Sequence, residues 1–433
     1  MKLDSYSRLI GATLAAAVLA GIGAVGFHWV ADNFGELLFG WANAHKISSR
    51  LPLVLFVPTV GLFLIGWFLQ QVPESRAGGV VEVLDALERH EGKVPGVRIL
   101  HVVVSSLVLA VGGSVGPEGP MVQLGALIGS QCGQYLRLTR SQLETLVRAG
   151  AAAGISAAFH SPAGGALLML EMFGARFNRD LPAISIASGL GYLVRTTAVG
   201  DEYPFRPMAG LSSLPVISLL FVVPLMALLA APTGHFFIWF FEKWQTLFPR
   251  RWPLWFRVTV GGAIVGLIGV WFPQVLSAGY PTIIRALNGG MGLKLFIALL
   301  LLKMLATSVS FGSGAVGGLF APTLVIGALF GGAFGYGLRA IAPGLVPQPA
   351  LFVLLGMVVM FGSIVKGYWS GLLMIADLSG CYHQLLLPGV IAGGIAYLIS
   401  WELRDRSIFG LTLDSFGKWA APREEARAAC AGD

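Results

Sequence analysis

Residues 112–129 read GGSVGPEGPMVQLGALIG, and the stretch carries one carboxylate, Glu118, among glycines and prolines. The prolines and glycines at 116–120 break any preceding helix, so a new helix is predicted from Met121 onward. A helix start directs unpaired N–H groups and a partial positive charge at whatever precedes it. Such a start can hold an anion without a counter-charge, so the stretch predicts an anion site beside Glu118.

An ordinary surface turn with a solvated Glu118 fits the same residues, because loops between apolar helices share this composition. A charged side chain at membrane depth is costly, which makes Glu118 a functional candidate if the stretch lies inside a bilayer. The composition of the chain and an internal repeat favour this second interpretation.

The composition is that of a polytopic membrane protein. The 433-residue chain is 55% hydrophobic and 12% charged, with a mean hydropathy of +0.76, whereas soluble domains carry about 25% charged residues. The net charge of +7 is assigned to basic cytoplasmic ends, because no Lys/Arg stripe with interleaved aromatic residues occurs. We expect a lipid bilayer, and no nucleic acid, as a partner.

Neither the cysteines nor the N-terminus suggests a secreted, disulfide-bonded protein. Cys132, Cys381 and Cys430 show no paired or metal-ligand spacing, so we expect no disulfide, metal or other cofactor. The apolar run within residues 1–30 is longer than a signal-peptide core and lacks a convincing cleavage site. It is interpreted as a first membrane helix that is retained.

Several apolar segments are too short or too broken to cross a bilayer of roughly 30 Å as one straight helix. The segments fall at 8–42, 49–71, 95–112, 118–136, 141–172 (interrupted), 180–199, 213–245, 254–277, 293–311, 318–341, 350–378 (interrupted) and 384–401. This mixture predicts a transporter of broken and tilted helices with a site at the midplane. We divide the chain into a first repeat half (1–205), a second half (206–416) and a cytoplasmic tail (417–433), with a Pro/Gly-rich connector at 201–213.

An internal repeat supports two halves. The run 116–129 aligns without gaps with 318–331, and ALLML (166–170) is echoed by GLLMI (371–375). The identical pairs are Gly116/Gly318, Pro120/Pro322, Gly125/Gly327, Ala126/Ala328, Leu127/Leu329 and Gly129/Gly331. Two helix starts that converge from opposite halves of an inverted repeat would build one anion site.

The sequence resembles the CLC family of chloride channels and chloride/proton exchangers at these same residues. The family signature G-[KR]-E-G-P matches 116–120, and G-x-F-x-P matches 318–322. The stretches 150–162 and 312–317 are also similar to the family. The resemblance runs from about 8 to 416, and it implies an all-α membrane protein of two inverted halves.

The resemblance further implies a homodimer whose subunits each have their own anion pathway. It assigns Glu118 as an external gate that competes with the anion and moves aside when protonated. It assigns backbone amides at Gly116 to Gly119 (Pro117 included) and at Leu319 and Phe320 to the pathway. No nucleotide-binding domain pair follows the membrane part, so no nucleotide partner is expected.

Two departures from the family remove hydroxyl groups from the central anion site. The serine of the first family signature falls at Gly78, and the family tyrosine near the C-terminus falls at Phe409. A hydrogen bond to a charged acceptor contributes roughly 1.5–3 kcal/mol. We therefore expect a weakly held anion unless water or backbone N–H groups replace the hydroxyls.

Two further departures concern protons and charge. The internal proton-transfer glutamate of the exchangers falls at Met172, which cannot relay a proton, and Glu171 is one residue away. Adjacent helix positions point about 100° apart, so substitution by Glu171 is the less favoured alternative. Pro117 replaces the usual basic residue beside the gate. A third charged residue, Lys303, lies in an apolar run and is expected to face an aqueous vestibule or a cluster of carbonyls.

The leading hypothesis is transport of small anions, chloride first, gated by Glu118 and uncoupled from or weakly coupled to protons. The alternative is a proton-coupled antiporter of chloride or, less favoured, of fluoride; fluoride-exporting relatives also lack the internal glutamate. An intramembrane enzyme is disfavoured because no nucleophile–base pair or metal-ligand spacing occurs. A purely structural scaffold does not explain a lone glutamate at a helix start. The expected location is the inner membrane of a prokaryote.

Overall fold

The computed structural model describes residues 2–39, 51–76, 78–201, 203–208, 210–249, 251–403 and 407–409. Within these ranges the chain forms sixteen α-helices and no strand longer than an isolated bridge. The predicted tail (417–433) and Cys430 lie outside the described residues. The division of the chain at 205/206 stays a prediction.

Long and short helices alternate along the chain. The helices are α1 (Lys2–Phe39), α2 (Leu51–Gln71), α3 (Val80–Arg89), α4 (Ile99–Ala110), α5 (Glu118–Tyr135), α6 (Arg140–Phe159), α7 (Pro162–Glu171), α8 (Phe177–Val199), α9 (Val223–Leu247), α10 (Leu254–Trp271), α11 (Tyr280–Leu287), α12 (Leu293–Ser313), α13 (Phe320–Ile341), α14 (Pro349–Val365), α15 (Tyr368–Ser379) and α16 (Tyr382–Leu403). Seven of the described helices are long and apolar enough to cross a membrane. By contrast, α3, α7, α11 and α15 have only 8 to 12 residues.

Two long apolar segments are broken where the sequence predicted an interruption. The segment 141–172 divides into α6 and α7 at His160, which has a left-handed backbone and is followed by the N-cap Ser161. The segment 350–378 divides into α14 and α15 at Lys366, which is left-handed as well. A left-handed residue ends a helix by turning the chain away from its axis. The prediction of broken helices is confirmed.

The two halves repeat one packing device. Gly125 of α5 lies against the backbone of Gly150 in α6, and Gly327 of α13 lies against the backbone of Gly356 in α14. A Cβ atom at any of these glycines would overlap the facing backbone carbonyl. The repeated glycines therefore allow each pair of helices to approach closely, as small residues do in membrane proteins. This correspondence agrees with the predicted repeat.

Candidate functional site

The two glycine-rich breaks meet at the centre of the molecule. Gly116 and Gly318 form an antiparallel bridge in which each N–H donates to the other's carbonyl oxygen at 2.7 Å. The sequence repeat aligns these two glycines with each other. A Cβ at Gly119 would lie 2.9 Å from Gly318 Cα, and one at Gly318 would lie 2.7 Å from Gly119 N. The bridge therefore brings the starts of α5 and α13 together at a place where only glycine fits.

The helix after the first break begins earlier than predicted. We expected it from Met121, but α5 begins at Glu118, with Pro117 as its N-cap. Pro120 lies in the first turn, where a missing N–H costs nothing because first-turn amides have no intrahelical partner. Pro120 therefore lies inside the first turn of this helix, and Pro117 directly precedes it. In the second half α13 begins likewise at Phe320, with Leu319 as its N-cap.

The Glu118 carboxylate contacts the helix start of the second glycine-rich break, at the beginning of α13. Glu118 is fully buried, with an exposure of 0%. Its Oε2 accepts a hydrogen bond from the N–H of Ala321 at 3.1 Å, and its Oε1 accepts one from the hydroxyl of Tyr280. Ala321 lies in the first turn of α13, where the helix favours negative charge. The alternative of a solvated Glu118 in an ordinary surface turn is wrong.

The backbone donors expected along the pathway divide into two groups. Pro117 has no N–H, and the N–H of Gly116 is used in the bridge to Gly318; neither can donate to an anion there. Gly119, Leu319 and Phe320 lie at the two helix starts and are buried. Their roles in anion binding stay predictions.

Aromatic rings fill the position expected for the central tyrosine. The ring of Phe409 meets that of Phe320 edge-on, with centroids 5.2 Å apart and an interplanar angle of 80°. Phe361 lies 5.3 Å from Phe320 on a tilted plane. Both Phe320 and Phe409 are buried. Where the resemblance predicts a hydroxyl, this chain has packed phenyl rings, whose edges carry only a weak positive potential.

The place of the missing serine at Gly78 is occupied by other side chains. A Cβ at Gly78 would overlap the ring of His101 and would lie 2.6 Å from Gln123 Oε1. That oxygen accepts the N–H of Gly79 at 2.7 Å, and His101 Nδ1 lies 3.1 Å from Ser75 O. A serine therefore does not fit here without movement of His101, so the absent hydroxyl belongs to a different local packing.

Comparison with known proteins identifies the family. The family described as voltage gated chloride channel matches residues 61–401. The chain belongs to this family. It is 32% identical over 372 residues to a putative chloride channel protein, ClcB-like, of Ralstonia nicotianae, covering 83% of this chain and 85% of that protein. It is 29% identical over 422 residues to the H(+)/Cl(-) exchange transporter ClcA of Vibrio cholerae, covering 93% and 88%.

Solved structures share the fold. A slow cyanobacterial Cl-/H+ antiporter superposes with a TM-score of 0.85 at 21% identity, covering 94% of this chain and 98% of that one. A CLC-type fluoride/proton antiporter superposes with a TM-score of 0.78 at 24% identity, with the same coverage. The chain is thus a multi-pass membrane protein of the CLC family that transports anions. The predictions of family and fold are confirmed, as is the prediction that the chain is not an enzyme.

Glu171 caps a helix of the opposite half. Its Oε1 accepts the N–H of Trp369 at 2.7 Å, and its Oε2 accepts the N–H and hydroxyl of Ser370 at 2.8 and 2.6 Å. These amides belong to the first turn of α15. Met172, which the sequence resemblance assigns to the position of the family's internal glutamate, packs against the main apolar core. Both carboxylate oxygens of Glu171 are therefore engaged in holding a helix end.

Lys303 satisfies one of its two predicted alternatives. Its side chain is completely buried, and Nζ donates to Val275 O at 3.0 Å and to Ser277 O at 2.7 Å. The carbonyl cluster is therefore confirmed, and the aqueous vestibule is wrong. The two carbonyls belong to the loop between α10 and α11, which leads directly to Tyr280.

Tyr280 is the site residue that the sequence did not reveal. It lies 162 residues from Glu118 along the chain. The only local signal is the helix start at Gly279-Tyr280-Pro281, which points to α11 and not to the gate. Its contact with Glu118 arises because α11 packs against α13.

Proposed function

We propose that the chain exchanges a small anion, chloride first, for protons, and that Glu118 is both gate and proton carrier. The observation that carries this proposal is the seat of the Glu118 carboxylate on the N–H of Ala321 at the start of α13. An ionised carboxylate occupies the place that the helix start offers to an anion. Protonation removes its charge, so the carboxyl group no longer competes with the anion and leaves the seat.

Proton coupling is favoured over the uncoupled transport that the sequence first suggested. Curated relatives over most of the chain are named as H(+)/Cl(-) exchange transporters, and solved structures of the same fold include proton antiporters. If Glu118 takes up a proton from one side of the membrane and releases it on the other side, each cycle moves one proton in the direction opposite to the anion. The gate alone therefore provides the first element of coupling.

Uncoupled transport remains the second candidate function because of one specific observation. Glu171 accepts three hydrogen bonds as a helix cap, and the resemblance assigns the internal proton-transfer glutamate to neighbouring Met172. An exchanger built on this chain needs another inner route for its protons. Fluoride/proton exchange is less favoured, because Gly78 is not the Asn or Met expected in such relatives.

The assembly and location follow from the resemblance. We propose a homodimer with one pathway per subunit, in the inner membrane of a prokaryote. The membrane location is supported by exposed apolar side chains on α8 and α16, namely Ile186, Leu193, Leu387 and Leu398, which lipid or a second copy would cover. Photobleaching steps of singly labelled protein in liposomes test the dimer, with two steps expected and one step contradicting it.

Paired flux in liposomes tests the transport mechanism. Chloride efflux is recorded with an electrode while proton movement is recorded under a chloride gradient. A fixed ratio of uphill proton movement to chloride flux is expected for exchange. Chloride flux without proton movement would establish the uncoupled alternative. If no chloride moves, the same assay with fluoride and other small anions decides the substrate.

A further inference from the structure

We propose that Tyr280 is a positioning residue that latches the Glu118 gate in its closed position and sets the pH at which transport begins. This proposal rests on the gate role proposed for Glu118. It adds a second residue, from the opposite half of the chain, to the gate. At the central site this chain has Phe409, where the resemblance predicts a tyrosine hydroxyl. The Tyr280 hydroxyl instead contacts the gate residue, Glu118.

The contacts give each oxygen of the gate its own donor. The Tyr280 hydroxyl donates to Glu118 Oε1, and the Ala321 N–H donates to Oε2 at 3.1 Å. Both donors come from the second half of the chain, whereas the carboxylate comes from the first. The closed gate therefore ties the two halves together, and release of the carboxylate breaks both hydrogen bonds.

The Tyr280 ring is placed so that it covers the carboxylate. Tyr280 is partly exposed, whereas Glu118 is fully buried, so the phenol lies on the exposed side of the pair. Its ring meets that of Phe205 edge-on, with centroids 5.5 Å apart. Phe205 is itself fixed by a hydrogen bond from its N–H to Leu378 O at 2.9 Å. The ring is thus held from the side by the connector between the two halves.

The loop that precedes Tyr280 is anchored on two sides. The buried ammonium of Lys303 holds Val275 O and Ser277 O from α12. On the other side, the Ser277 hydroxyl donates to Leu109 O at 2.8 Å, at the end of α4. Gly279 then turns the chain into α11 with a φ of +85°, a conformation that favours glycine. The loop that carries Tyr280 is therefore held in place, and Lys303 is a positioning residue for Tyr280.

The chemistry fixes the direction of the effect. A phenol O–H that donates to a carboxylate stabilises the ionised form over the protonated form. The ionised form is the one that keeps the gate closed. Loss of the hydroxyl makes protonation easier, so the gate opens at higher pH. One hydrogen bond to a charged group corresponds to a shift of about one pH unit.

The test measures anion flux in liposomes between pH 4 and 7.5 for Tyr280→Phe. The pH of half-maximal flux is expected to rise by about one unit. Tyr336→Phe is the matched control, because its hydroxyl donates to Ala286 O at 3.3 Å and no contact links it to Glu118. Its profile is expected to equal that of the unmodified chain. Incorporation of 3-fluorotyrosine at 280 strengthens the donor without removing it and should move the midpoint to lower pH.

A double-mutant cycle of Tyr280→Phe with Glu118→Ala tests the role of Tyr280 separately from the gate role of Glu118. In that background the flux should be independent of pH, and Tyr280→Phe should then change nothing. If Glu118→Ala is flat but neither change at Tyr280 moves the midpoint of the unmodified gate, the latch is overturned and the gate stands. If Tyr280→Phe changes the anion flux by the same factor in both backgrounds, Tyr280 does not act through Glu118 and the latch is again overturned. Steep pH dependence in Glu118→Ala itself overturns the gate.

Discussion

The two helix starts at the centre of the molecule are built alike and differ in one side chain. Each follows a glycine that donates to and accepts from its counterpart, Gly116 to Gly318, and each opens a helix that packs on the next through glycine. At the first residue of the helix, however, one half has Glu118 and the other has Phe320. If the two helix starts bind an anion as proposed, only the half with a carboxylate has a group that can compete with it.

A second comparison gives the opposite result. Glu171 at the end of α7 caps the start of α15, and Asp377 near the end of α15 accepts the hydroxyl of Ser161, the N-cap of α7, at 2.5 Å. Backbone N–H groups of Ala163 and Gly164 also point to Asp377. Here both halves carry a carboxylate, and each caps the other's helix. These two carboxylates hold helix starts, whereas Glu118 accepts its backbone hydrogen bond from Ala321 at the central break.

The largest expected effect comes from removing the Glu118 carboxylate, which has no counterpart at Phe320. Glu118→Ala leaves two helix starts without a carboxylate, so the anion seat has no competitor at any pH. Anion flux should become nearly independent of pH, and proton movement should cease. Glu118→Gln, which keeps the shape but cannot ionise, should give the same flat profile in liposome flux.

Retention of a steep pH profile in both variants would show that the gate lies elsewhere. Phe320→Leu provides a control at the corresponding position of the other half. It alters packing at a helix start but removes no titratable group, so its flux should keep the pH dependence of the unmodified chain even if its rate changes.

An intermediate effect is expected from the reciprocal caps. Glu171→Gln replaces an acceptor of two fixed backbone N–H groups by an amide that can accept at only one atom. The free energy of unfolding should fall by about 1–2 kcal/mol, read as a lower midpoint of thermal unfolding in detergent. Asp377→Asn should lower it by a similar amount, since Asp377 also accepts hydrogen bonds from the start of a short helix in the other half.

The same two variants decide whether Glu171 moves protons. As a cap, Glu171 should leave the ratio of protons to anions unchanged when it is replaced by glutamine, as should Asp377. An unfolding midpoint that stays the same, together with loss of proton movement in Glu171→Gln alone, would instead identify Glu171 as the inner proton donor. Glu171 and Asp377 would then not share the role of helix caps.

Sequence alone predicted the parts of the site that lie within one motif or its repeat. Glu118, the convergence of the two helix starts and the broken helices all follow from local composition and from identities between halves. Tyr280 could not be predicted, since its contact with Glu118 depends on where α11 packs. The surroundings of Gly78 were also hidden, because His101 and Gln123 come from two other helices.

The two missing hydroxyls differ in how easily a substitution could restore them, because Phe409 and Gly78 have different surroundings. Phe409 is replaced by tyrosine without a change in ring shape, and its ring already lies edge-on to Phe320. Serine at Gly78 would place its Cβ against the ring of His101. Such overpacking typically costs 1–3 kcal/mol. Gly78→Ser is therefore not a simple return to the family pattern.

The smallest effect is expected from Phe409→Tyr. A hydroxyl at the ring tip would donate to an anion at the central site and should strengthen its binding by about tenfold, the low end for a hydrogen bond to a charged group, measured by calorimetry with chloride. Phe361→Tyr is the matched control, because Phe361 is also buried and also contacts Phe320, with centroids 5.3 Å apart. Tighter binding in Phe409→Tyr alone places the anion beside Phe409. Equal gains in both variants would indicate a general effect of added polarity, and no gain in either would mean that the anion is held by backbone N–H groups without help from this ring.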